Sequence, residues 1–83
     1  MYEAKHFANT DDFTYVTVVN TKSGTGYTVT IKNADPGKAW SVEQHRIIRS
    51  CRQYVWVHKY RQATMFNAIE AAAIAAVNQG ENT

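Results

Sequence analysis

With 83 residues the chain has room for one small domain, and a composition of 45% hydrophobic and 19% charged residues suits a packed globule and excludes a disordered tail. No apolar run approaches the roughly 18 residues of a spanning helix, and the opening MYEAK does not read as a secretion signal, so a cytoplasmic protein without membrane contact is expected. Cys51 is the only cysteine and the formal net charge is +2; an internal disulfide is excluded, and a lone thiol fits a reducing compartment.

The chain reads as one domain over residues 1–83. Residues 1–12 form an N-terminal arm. Residues 13–32 hold two segments rich in β-branched and aromatic residues, 13–20 (FTYVTVVN) and 27–32 (YTVTIK), and the intervening TKSGTG has the glycines and small polar residues of a hairpin loop. Residues 33–52 are a loop opened by Asn33-Ala34-Asp35-Pro36-Gly37, since proline cannot donate to a ladder. Within it a short helix is predicted over about 41–50: Ser41 and Gln44 have capping-box spacing, and Trp40, Ile47, Ile48 and Cys51 fall near one stripe. The run 46–52 also fits a strand that extends the next one or pairs with it.

Residues 53–61 contain the third clear strand, centred on 54–60 (YVWVHKY). A helix follows over 64–79, with Thr64 as its N-cap and Gly80 as its stop, and 80–83 are a tail. Phe66, Ile69, Ala73, Ala76 and Val77 make the stripe that packs on the sheet. The other side carries Ala68, Ala71, Ala72, Ile74 and Ala75, and Glu70 is the helix's only charge. A helix apolar nearly all round is expected to have a second contact, so these five residues are the predicted self-association surface of a homodimer. Alanine's strength as a helix former is the plainer explanation. The expected fold is therefore α+β, a three-stranded and possibly four-stranded antiparallel sheet on a C-terminal helix.

Strand alternation predicts which face is open. Val16 and Val18, Tyr27, Val29 and Ile31, and Val55 and Val57 point to the helix, leaving Phe13, Tyr15, Thr17, Thr28, Thr30, Lys32, Tyr54, Trp56, His58 and Tyr60 outside. The inverted assignment, with those rings in the core, is the alternative. Between Gln44 and Ile69 the chain has five basic residues and no acid, and a one-signed block of this kind steers acidic surfaces or phosphates. The predicted partner-binding residues are Arg46, Arg49, Arg52, Tyr54, Trp56, His58, Lys59, Tyr60 and Arg61. Cations beside aromatic rings serve base stacking and protein hot spots alike.

No catalytic constellation is legible. Gly24 and Gly26 lack the lysine and hydroxyl of a phosphate loop. His6, His45, Cys51 and His58 match no zinc spacing, and no cofactor is expected. A Cys51 nucleophile lacks an evident enclosed pocket. A non-enzymatic binding protein is expected.

Three strands followed by an alanine-rich helix (VWVHKYRQATMFNAIEAAAIAA) loosely resemble the DNA-binding domains of the plant AP2 type and of integrase arm-binding modules. That resemblance implies a groove-reading sheet face carrying Arg52, Tyr54, Trp56 and His58. In size, compactness and lack of catalytic residues the chain more closely resembles the short phage proteins that block host defences, including anti-CRISPR proteins. This second resemblance implies an inhibitor that occupies a functional surface of a protein or ribonucleoprotein target; the alternative is a sequence-tolerant nucleic-acid-binding module.

Overall fold

The computed structural model describes residues 1–80. Five strands and one helix follow in order: β1 (Tyr2–Asn9), β2 (Phe13–Asn20), β3 (Gly26–Lys32), β4 (Ser41–Ile48), β5 (Cys51–Trp56) and α1 (Ala63–Gly80). The strands form one antiparallel sheet in the order β1-β2-β3-β4-β5, each paired with its neighbour in sequence. Among the described residues no helix is long and apolar enough to cross a membrane.

The α+β character agrees with the sequence reading, but the three- or four-stranded sheet is corrected to five strands. The segment read as an N-terminal arm is β1. A bulge between Ala4 and His6 hid it: Tyr2 and Ala4 face the helix, the extra residue shifts the register, and Phe7 then takes that side, so no single alternation runs through the strand. Tyr2 packs edge-on to Tyr27, centroids 5.9 Å apart, which fixes β1 to the core.

The helix predicted over 41–50 does not form; Ser41–Ile48 is β4, and the alternative of a strand over 46–52 holds in part, since Arg46–Ile48 pairs with Cys51–Gln53 across a turn. Val42 lies opposite Val29 on the helix side and is fully buried. A helix there would withdraw that side chain and leave the β3 ladder unpaired. The strand expected over 54–60 ends at Trp56 and begins at Cys51. The helix starts at Ala63, one residue earlier than predicted, with the Phe66 amide donating to the Gln62 carbonyl at 2.8 Å. Thr64 lies inside the first turn and is not the cap. Gly80, predicted as the stop and the first residue of the tail, is the last residue of α1, and 81–83 lie outside the described residues.

The core lies between α1 and the middle of the sheet. Val16, Val18, Val29 and Ile31 meet Phe66, Ile69 and Ala73, all buried, as the alternation and the helical stripe predict. Ala76 and Val77 are half-buried at its margin. The helix contacts β1 to β4 and does not touch β5. Val57 is therefore buried just beyond the strand, while Val55 is 37% exposed although it points to the helix side.

Candidate functional site: the open face of the sheet

The side of the sheet away from α1 has no covering layer among the described residues. Register alone decides what stands there. Thr17 pairs with Thr28, Thr28 with Glu43 and Glu43 with Trp56. These opposed residues share one side of the sheet, so they form a row across four strands. The adjoining rows place Phe13 and Tyr15 on β2, Lys32 on β3, His45 opposite Tyr54, and Ile47 opposite Arg52.

Two aromatic groups flank a central strip of threonines and Glu43. In the first, Phe13 lies 6.2 Å from Tyr15 and 5.7 Å from Trp40 between ring centroids. Lys32 Nζ sits 5.7 Å from the Trp40 ring centre, within cation–π range. Trp40 owes its place to the loop before β4: its amide donates to the Thr30 carbonyl at 2.7 Å, and the preceding Ala39 amide donates to Glu70 Oε2 at 2.8 Å. The one charge of the helix thus anchors the loop that presents a tryptophan.

The second group is Tyr54, Trp56 and His45. The His45 ring meets Tyr54 edge-on at 5.0 Å, and its Nε2 is hydrogen-bonded to Thr28 Oγ1 at 2.6 Å. It lies close over Gly26, where an added Cβ would sit 3.0 Å from His45 Nδ1; the missing side chain makes the space the imidazole occupies. Burial and the Arg52 guanidinium push the His45 pKa below its ordinary value, against an opposing pull from Glu43.

These rings remain accessible: Trp40 and Trp56 are each 56% exposed and Tyr54 is 52% exposed. At the end of the sheet where β4 begins and β5 ends, a concavity of about 380 Å³ lies between Trp40 and Trp56, reaching the core residues Val42, Val57 and Phe66 and bordered by Lys38, Lys59 and Tyr60. A second, of about 560 Å³, lies beside His45, Arg52 and the loop between β2 and β3. Both suit contact with a surface. Among the described residues no three of His, Cys, Asp and Glu converge.

The nine predicted partner-binding residues do not form one patch. Arg52, Tyr54 and Trp56 share the open face. Arg46 pairs with Gln53 on the opposite side, and Arg49 lies in the turn joining β4 to β5. His58, Lys59, Tyr60 and Arg61 lie in the connection to α1, past the other end of a strand about 17 Å long. The linear basic block is thus divided between two ends of the molecule. Phe13, Tyr15, Lys32, Trp40 and His45 belong to the face and were absent from the predicted set, although alternation already placed Phe13, Tyr15 and Lys32 outside. Of the predicted self-association surface, Ala68, Ala71 and Ala75 are exposed, whereas Ala72 and Ile74 pack against the core. Searches against protein-family models, curated proteins and solved structures find no match to this chain.

Proposed function

We propose that the chain is a non-enzymatic binding protein that masks a functional surface of a protein partner with the open face of its sheet. The observation that carries this reading is the set of five rings on the open face, Trp40, Tyr54 and Trp56 exposed and Phe13 and Tyr15 half-buried. Tryptophan, tyrosine and arginine are the residues on which interface energy concentrates, and Lys32, Lys38 and Arg52 beside them complement an acidic patch. Occlusion needs no catalytic group, only a rigid surface, and a paired sheet supplies one. The finer reading is a small phage inhibitor of a host-defence complex, of the anti-CRISPR type, in which an acidic site of a protein or ribonucleoprotein would be covered.

Nucleic-acid binding is the second reading, favoured by Lys32 over Trp40 and by Arg52 beside Tyr54. It ranks below the first because, of the block Arg46, Arg49, Arg52, Lys59 and Arg61, only Arg52 lies on the open face and only Lys59 borders the concavity between Trp40 and Trp56, near the other end of β5. A phosphate backbone is held by several cations along one path.

The two readings part in a binding experiment with nuclease-treated extract. Masking predicts one protein species retained by the wild-type chain after nuclease, weakened at least about tenfold by Trp56→Ala or Arg52→Ala, and unaffected by Ala71→Glu on the helix. Retention that ends with nuclease, together with oligonucleotide binding that weakens steeply with salt, would replace this reading with the second.

A further inference from the structure

β5 is an edge strand with all six residues exposed, and α1 does not reach it. Its backbone groups alternate in direction. The Val57 amide donates to the Val42 carbonyl at 2.8 Å, so Val57, Val55, Gln53 and Cys51 turn their N–H and C=O groups toward β4. Arg52, Tyr54 and Trp56 turn theirs to the unoccupied side. The strand contains no proline and no inward-pointing charge, two of the devices by which edges are normally protected.

We propose that β5 pairs antiparallel with β5 of a second copy, joining two five-stranded sheets into one continuous sheet about a two-fold axis at Tyr54. Symmetry requires a residue to oppose its own copy, and the outward backbone groups select Tyr54 as that residue; centring on Val55 would set Arg52 against His58, whose amide already donates to Gln62 Oε1. A two-fold axis perpendicular to the sheet keeps the open faces on one side, so each residue must oppose one of its own face. Centring on Tyr54 sets Tyr54 against Tyr54 of the second copy and Arg52 against Trp56 of the second copy, and every outward backbone group then finds a partner, roughly six hydrogen bonds. Shifting the axis to Gln53 would place Trp56 against the turn residue Ser50 and lose a pair of bonds at each end. The side chains agree with the central register: Arg52 lies over a tryptophan ring in each half, and no two like charges stand directly opposite within the strand. On the helix side Gln53 faces Val55, and Cys51 faces the end of the strand.

The occupant is therefore a second copy, held by an edge about 17 Å long. Such an edge buries less than the roughly 800 Å² per partner of a standard interface, so the dimer is expected to form reversibly in the micromolar range. This surface differs from the alanine side of the helix, and the inference does not rest on the masking function. In the dimer the two open faces adjoin, doubling the aromatic surface.

Sedimentation of the full chain across the micromolar range tests the pairing. The wild type is expected to move from monomer to dimer. Tyr54→Pro should hold it monomeric with its circular dichroism unchanged, because the amide it removes faces outward and bonds nothing within the chain. Ala71→Glu should leave the dimer intact. A second test does not depend on the proline variant folding. Tyr54→Cys in a Cys51→Ser background should form a covalent dimer on mild oxidation, since hydrogen-bonded antiparallel pairs hold Cα atoms about 5.5 Å apart, within disulfide range. Native Cys51 should not cross-link, because in this register the two copies of it lie about 20 Å apart. A wild type that stays monomeric, cross-linking through Cys51 in place of position 54, or association abolished by nuclease would overturn the proposal.

Discussion

Gly26 and His45 act as one unit on the open face. Replacing a strand glycine with alanine ordinarily gains about 0.5–1 kcal/mol, but here the methyl meets a ring held by Thr28 and Tyr54. Gly26→Ala is therefore expected to destabilise the wild type by about 1 kcal/mol and to become stabilising in a His45→Ala background, a sign change that urea unfolding of the four proteins in the cycle resolves. The same ring gives a pH signature. The folded pKa of His45 is depressed, so below about pH 6.5 the unfolded chain binds the proton first. The stability His45 contributes is complete above that pH and is lost as pH falls through its folded value. His45→Gln should flatten the dependence of the urea midpoint across this window. None of this was legible in the sequence, where Gly26 read as part of a hairpin loop that fails the phosphate-loop pattern and His45 as a histidine of the 41–50 segment that fits no zinc spacing. A glycine that serves a neighbouring strand shows its purpose only in register.

Elements were legible where local pattern and tertiary demand coincide. The β2–β3 hairpin and α1 carry their signals in consecutive residues, and Val16, Val18, Ile69 and Ala73 point where alternation and helical spacing place them. The β4–β5 hairpin does not. Ile48 and Cys51 are paired across a two-residue turn in which Arg49 and Ser50 have φ of 52° and 65°. That turn normally signals itself with Asn-Gly, because both positions need positive φ; arginine and serine give no such sign, and Ser41 with Gln44 imitates a helix cap. The backbone cost remains in the fold. Arg49→Asn with Ser50→Gly should raise the stability by about 1 kcal/mol, read as a higher urea midpoint at unchanged slope.

The two sides of the sheet make opposite demands on substitution. Ile69 is fully buried, so Ile69→Ala should cost about 2–5 kcal/mol. Trp56→Ala, on the open face, should cost less than about 1 kcal/mol despite removing a larger side chain. Comparable losses at the two sites would mean that Trp56 belongs to a core.

At the scale of the whole molecule, the helix covers one face of a five-stranded sheet and leaves the other face and the β5 edge without a layer. The general direction of the faces was legible from the valines; the extent of the open surface was not, because β1 was missing from the predicted sheet, β4 entered it only as the alternative strand over 46–52, and the basic residues, clustered along the chain, are separated in space. The partner-masking reading depends on the open face being free in the isolated protein and covered in its complex. Both tryptophans of the chain, Trp40 and Trp56, border that face, so acrylamide quenching of the native emission measures the claim directly. Efficient quenching of both is expected in the free chain, and protection of both when the target is bound. Tryptophans shielded in the free chain, or as fully quenched in the complex as out of it, would contradict the claim.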